Sequence, residues 1–358
     1  MPRRIIILTE GHTEPHAGKT ASCIIRYRGE DVVALLDGTQ KGKTSGDLLG
    51  VGKVPIVGRL DDVPEANTLL LGIAPPGGKI PPPWRAIILD AIARRKMDVI
   101  SGLHDFIGDD PEFSKAAKAS GVAIQDVRKN SEKSIARRKG LRPDCLRVHA
   151  VGHDCSIGKM VVSVEVTNGL KKRGHDAKFI ATGQTGIMVE GDGLPIDCIV
   201  ADFVSGAAEK LVLENQHHEI LVVEGQGSLV HPSYSGVTLS LLHGCAPQAL
   251  IMCYEVGRER VTGVESVEIP SLNEIIRMYE LMSNVHQPCK IIGIGINGRR
   301  LNKDEAARER ARVKAEFGLP ACDVIRDGPD ELVEAVLAFK NSTGWHSPVD
   351  EGPNHKHQ

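Results

Sequence analysis

At 358 residues, with 41% hydrophobic and 25% charged residues, the chain has the size and composition of a two-domain globular protein, not of a largely disordered one. The 44 Lys plus Arg against 46 Asp plus Glu give a formal net charge of -2, which excludes a global basic field for nucleic acid or a membrane surface and makes a small molecule the default partner. The eight cysteines are scattered without a C-x-x-C pair and no apolar run reaches the length of a bilayer span, so a cytoplasmic protein is expected.

The chain opens on Ile5-Ile6-Ile7-Leu8, a strand-length apolar run too short for a signal segment. Further strands are expected at 32–36, 54–57, 68–71, 99–101 and 122–124, with helices over 84–95 and 112–120. This alternation predicts an α/β domain with a mostly parallel, helix-covered sheet, Rossmann-like, over residues 1–140. Gly18-Lys19-Thr20 resembles the end of a Walker motif, but no apolar strand immediately precedes it, and 20–26 reads as an ordinary amphipathic helix. The basic stretch 128–142, ahead of Pro143, is read as a solvated linker helix, because no aromatic residues interleave with its charges as a nucleic-acid patch would require.

A second α/β domain is expected over 141–341. Its strands are placed at 145–151, 178–181, 199–201, 220–223, 250–252 and 290–294, and its helices at 158–172, 207–214, 272–282 and 304–317. The polar, His-, Pro- and Gly-rich end, 342–358, reads as a flexible tail and not as a metal site.

The sharpest chemical signal is Gly152-His153-Asp154-Cys155-Ser156-Ile157-Gly158-Lys159, set between an expected strand and an expected helix. Such a loop aims successive N–H groups into one concavity at a helix N-terminus, where the helix dipole and a Lys ammonium favour phosphate. Five residues stand between its glycines where a Walker loop has four, a spacing that resembles the dethiobiotin-synthetase branch of P-loop proteins. Met160 occupies the position where Ser or Thr would hold Mg²⁺, so phosphate binding survives in this reading and phosphoryl transfer is in doubt.

The run 219–223 ends in Glu224-Gly225-Gln226-Gly227, which puts Glu224 and Gln226 at the carboxyl edge of the sheet, where α/β folds bind ligands. Glu224 there would orient Mg²⁺ or accept a proton from an amine. Gln184 and Thr185, after another strand, offer polar groups to a substrate; Asp202 is either an N-cap or a site residue. His231 suits acid–base work near neutral pH, or is a satisfied structural histidine. Arg258 and Arg260 follow the 250–252 strand and so sit at the same edge. No metal ligands are assigned.

Taken together, GHDCSIGKM, ATGQTGIMVEGDGLPIDCIVADFVSGAAE, VVEGQGSLVHPSYSGVTLSLLHG and SGLHDFIGDDPE resemble the DgcN-like D-glutamate N-acetyltransferase family, formerly an uncharacterised P-loop family, over nearly the whole chain. The resemblance implies transfer of acetyl from acetyl-CoA to the amine of a D-amino acid, D-glutamate first, by a homodimer. In that reading Gly152 to Met160 anchor the donor, Glu224 and Asp202 are candidate bases with His231 behind them, Gly225 to Ser228 supply oxyanion donors, and Arg258 and Arg260 are the candidates for a substrate carboxylate. Two other readings stay open: a Mg²⁺- and ATP-dependent ligase or kinase resembling dethiobiotin synthetase, in which Ser163 or Thr167 reaches the metal, and a nucleotide-responsive binding protein.

Overall fold

The computed structural model describes residues 2–74 and 76–342; the tail expected beyond Ser342 lies outside them. The chain divides into two compact units, one of residues 1–131 with 184–198, the other of 132–183 with 199–358.

The first unit is built on β1 (Ile5–Leu8), β2 (Val32–Leu36), β3 (Ile56–Val57), β4 (Thr68–Leu71), β5 (Asp98–Ser101) and β6 (Ile124–Asp126), all parallel, in the order β3-β2-β1-β4-β5-β6. That is the doubly wound order whose direction reverses beside the first strand. Its helices are α1 (Lys19–Tyr27), α2 (Ser45–Leu49), α3 (Trp84–Ala93) and α4 (Pro111–Ser120). β1 and β4 are buried along their whole length, as unbroken Ile/Leu runs covered on both faces must be. β3 begins after Pro55, which has no N–H to give the ladder, so it is shorter than its apolar run suggested. The Lys19-Thr20 segment opens α1, as the amphipathic reading of 20–26 requires.

The second unit carries β7 (Leu146–Gly152), β8 (Ala177–Ile180), β9 (Ile220–Val223), β10 (Ala249–Glu255), β11 (Arg260–Val261), β12 (Val264–Glu268), β13 (Lys290–Asn297) and β14 (Ala321–Cys322). Six of them form a parallel sheet in the order β14-β13-β10-β7-β9-β8, and β11 and β12 form a separate antiparallel hairpin. Helices α5 (Lys159–Lys172), α6 (Gln184–Glu190), α7 (Ala201–Asn215), α8 (Ser235–Cys245), α9 (Leu272–Ser283), α10 (Lys303–Phe317) and α11 (Asp330–Ser342) follow in chain order; α6 packs in the first unit. Ser271 with Glu274 and Asn302 with Glu305 make capping boxes that fix where α9 and α10 begin. The core lies on both sheet faces, Val148, Ile251 and Val166 on one and Val151, Met252 and Tyr279 on the other.

Three expectations are corrected. The boundary does not fall at 140/141: Glu132 pairs with Lys210 at 2.8 Å, and the N–H groups of Arg137 and Arg138 donate to Glu209, so 132–140 is tied to the second unit. That stretch is irregular backbone packed on α7, not a solvated helix, and only glycine fits at 206, where a Cβ would stand 1.9 Å from the Ser134 carbonyl oxygen. Residues 199–201 are no strand; Val200 is 66% exposed and caps α7, so nothing pairs that short run. No helix among the described residues is long and apolar enough to cross a membrane.

Candidate functional site

β7 runs into the loop Gly152 to Gly158, and α5 starts at Lys159. Ser156 (φ +54°) and Gly158 (φ +106°) adopt left-handed backbone within the loop, the alternation that turns consecutive N–H groups into an anion-binding concavity. A non-glycine residue in this region costs about 1 kcal/mol, held here by its surroundings. Lys159 is 5% exposed, and its Nζ donates to the Asp154 carbonyl at 2.6 Å, folding over its own loop. Burial pulls the ammonium's pKa below its ordinary value. β9 approaches β7 so closely that a Cβ at Gly225 would lie 1.8 Å from the Ala150 carbonyl oxygen and 2.9 Å from the Lys159 stem. Expected phosphate-loop geometry is therefore present, with its cation at hand.

The loop is braced from behind. Asp154 is fully buried and its carboxylate accepts from Arg258 (2.8 Å), from the Thr262 N–H (3.0 Å) and hydroxyl (2.7 Å), and from the Cys155 N–H (2.7 Å). Burial opposes its charge, but the Arg258 and Thr262 bonds outweigh that and hold its pKa below the usual value. Arg258 also donates to the Cys155 carbonyl at 2.8 Å and to buried Glu255. His153 takes the Glu255 N–H on Nε2 at 3.0 Å, and Asn297 donates to the Ile157 carbonyl at 2.9 Å.

Glu224, 4% exposed, accepts the Thr182 and Gly183 N–H groups on Oε2 at 2.8 and 3.0 Å, while the Thr182 hydroxyl donates to its carbonyl at 2.9 Å. Gln226 donates to the Thr182 hydroxyl at 3.3 Å. The sheet edge thus brings together the P-loop, Glu224 and Gln226. It leaves others out. Asp202 is exposed in the first turn of α7, where Val200 is the cap and no side chain caps. Gln184 and Thr185 belong to the first unit, where Thr185 bonds Thr20 at 3.0 Å and the buried Gln184 Oε1 lies against Gly102.

Three roles expected from position do not fit the side chains as they stand. Arg258 is consumed by Asp154 and Glu255, so it braces the loop and does not await a carboxylate. Arg260 lies exposed on the β11–β12 hairpin and pairs with Glu268 at 2.8 Å. His231, 2% exposed, receives the Ser233 N–H on Nδ1 at 3.1 Å; Nε2 must then carry the proton and donate to the Thr262 carbonyl at 3.2 Å. With both ring nitrogens engaged it is a structural link. Asp154, Cys155 and His231 place ligand atoms within 4.8 Å of one another, yet the Asp154 and His231 lone pairs already accept protein N–H groups, so this trio does not suit a cation.

A cleft of about 490 Å³ behind the loop is lined by Arg258, Arg260 and Arg312 against Glu255, Glu259, Glu268 and Glu309. Each arginine is paired, Arg312 with Glu309 at 2.8 Å, so the cleft offers no surplus positive charge to an anion. Sequence reasoning missed a different cluster, Asn297-Gly298-Arg299-Arg300 at the end of β13, although it shows the same strand-then-turn signal that singled out Glu224. Arg299 bonds Glu255 at 2.9 and 3.0 Å and Arg300 reaches it at 3.3 Å.

Two buried histidines give the unit a pH dependence. Burial is the main cause that pushes His153 down to about 3 and His149 down to about 4. The unfolded chain takes up these protons near pH 6.5 while the folded one does not, so stability is full well above pH 6.5 and falls by about 3 kcal/mol per pH unit from pH 6 towards pH 4. Urea midpoints between pH 7 and pH 5 should drop accordingly in the wild type and by about half as much in His153→Gln. Equal drops in both proteins would remove His153 from the account.

A family model described as a domain of unknown function, DUF1611_C, P-loop domain, matches residues 133–333, and its companion, DUF1611_N, Rossmann-like domain, matches 38–130. The chain is 41% identical over 278 residues to a Tritonibacter scottomollicae protein named D-glutamate N-acetyltransferase, covering 76% of this chain and 82% of that protein. It is 36% identical over 269 residues to a Pseudoalteromonas protein of the same name, covering 75% and 80%. A crystal structure of a DUF1611 family protein from Anabaena variabilis superposes with a TM-score of 0.88 at 35% identity, covering 94% of this chain and 99% of that one.

Proposed function

The chain belongs to the DUF1611 family, and from that premise we propose that it transfers an acetyl group from acetyl-CoA to the amine of D-glutamate. The observation that carries the reading on the structural side is a complete phosphate cradle that lacks the hydroxyl for Mg²⁺. Met160 stands in that position, and the nearest hydroxyls on α5 turn back into the helix: Ser163 donates to the Lys159 carbonyl at 3.0 Å and Thr167 to the Ser163 carbonyl at 2.7 Å. Both are buried below the loop, which speaks against the ligase or kinase reading.

Coenzyme A carries phosphates that need an anchor and no metal. Lys159 and the N–H groups of the loop would hold its pyrophosphate. The amine nitrogen, once neutral, attacks the thioester carbonyl, the N–C bond forms as the C–S bond breaks, and the proton that the nitrogen sheds leaves with the sulfur as the thiol of the free coenzyme. A long pantetheine arm separates that thioester from the phosphates, so Glu224, whose turn packs on the Lys159 stem, shapes the cradle and does not take the amine proton. Its two bonds to Thr182 and Gly183 are what that role requires.

The test is thiol release from acetyl-CoA, without added metal, in the presence of D-glutamate, L-glutamate and neutral D-amino acids. Turnover with D-glutamate supports the reading. Absence of turnover with every amine, together with Mg²⁺-dependent ATP hydrolysis, would replace it by the ligase or kinase.

A further inference from the structure

We propose that Arg299 and Arg300 form a second anion anchor, which takes the 3′-phosphate of coenzyme A beside the P-loop that takes its pyrophosphate. The inference rests on the acetyltransferase reading and names the part of the donor that these residues recognise.

Glu255 is the hub. Its carboxylate is fully buried and is shared by Arg258, Arg299 and Arg300. Arg258 is itself 9% exposed and turned inward onto Asp154, whereas the Arg299 and Arg300 side chains are 40% and 63% exposed. Three guanidiniums face two buried carboxylates, so the cluster keeps net positive charge. The other arginines near the loop are neutralised, as the hairpin and the cleft show. Glu255 orients the two outer guanidiniums without cancelling them, which suits a planar donor fork awaiting a phosphate.

Position selects the ligand. β13 is two strands from β7, about 10 Å across the sheet, and both strands end at the same edge. The two segments are also joined: Asn297 donates to Ile157 of the P-loop at 2.9 Å and accepts the Arg299 N–H at 3.3 Å. The Gly298 N–H donates to Asp323 at 3.1 Å, and Arg326 donates to the Gly298 and Leu301 carbonyls, so the turn is held before any ligand arrives. Coenzyme A bears its 3′-phosphate and its pyrophosphate on one ribose, within reach of two anchors so placed. A carboxylate of the amino-acid acceptor, by contrast, must lie near the thioester, at the far end of the pantetheine arm.

The experiment compares acetyl-CoA with 3′-dephospho-acetyl-CoA in the wild type, in Arg300→Gln and in the Arg299→Gln/Arg300→Gln double variant, each checked for an unaltered thermal midpoint. The wild type should prefer the phosphorylated donor by about 10–100-fold in kcat/KM, the worth of charge-assisted bonds to one phosphate. The double variant should treat the two donors alike, with the loss in the donor's KM, and Arg300→Gln, the most exposed of the changes, should fall between. A wild type indifferent to the 3′-phosphate overturns the proposal. So does a double variant that keeps the preference but raises the KM for D-glutamate, which would give the pair to the acceptor's carboxylate. Should the wild type bind coenzyme A without turnover, the acetyltransferase reading fails, and calorimetry with coenzyme A and 3′-dephospho-coenzyme A on the same proteins still decides the anchor.

Discussion

Arg258→Ala should destabilise the second unit by about 3–5 kcal/mol, the cost of removing one partner from a buried ion pair. Glu255 would keep Arg299 and Arg300, but Asp154, fully buried, would lose the Arg258 guanidinium and keep the hydroxyl and N–H donors of Thr262 and Cys155. The loss belongs to the charge left behind, so Asp154→Asn added to Arg258→Ala should recover part of it, a coupling that a double-mutant cycle measures. Acid adds a signature. Because the folded state holds the Asp154 pKa below its ordinary value, its contribution is present above about pH 4 and fades as pH falls below that; Arg258→Ala should shrink this acid-side loss. Denaturant unfolding at pH 7 showing a change under 1 kcal/mol would mean that the pair is not the brace described here.

Lys159→Met should lower kcat/KM for acetyl-CoA by about 10–150-fold, through the donor's KM and not through that for D-glutamate. Methionine keeps the apolar stem that packs under Gly225 and Gly152 and removes the ammonium, which separates lost charge from lost packing. The Asp154 carbonyl gives up its donor as well, so a modest drop in melting temperature accompanies the kinetic effect. If the KM for acetyl-CoA stays within twofold of wild type while the protein remains folded, the P-loop does not hold the donor.

The strands and the P-loop were legible because their causes are local. Ile5–Leu8 and Ile220–Val223 are unbroken apolar runs of strand length, and their ends in the structure are those the runs suggested. α6 was not legible: its buried residues Gln184, Ile187 and Met188 keep helical spacing, but Gly183, Gly186 and Gly191 mask it as turn. The site residues divide the same way. Lys159 is fixed by its own loop, whereas Arg258 is decided by Asp154, 104 residues upstream, and Arg299 by Glu255, 44 residues back. An arginine after a strand looks the same on paper whether it is spent on a buried carboxylate or left facing water.

The segment 184–198 has a consequence for how the molecule is made. It completes the first unit, where α6 meets α1 through Thr185 and Thr20, yet it is synthesised after the P-loop and after β8. The first unit therefore cannot finish folding when its own sheet has emerged from the ribosome; it waits until most of the first third of its neighbour has followed. For the same reason no contiguous fragment isolates it: any stretch of chain that holds the first unit whole also holds the phosphate loop, so truncation or gene fusion cannot hand on the first unit without that loop.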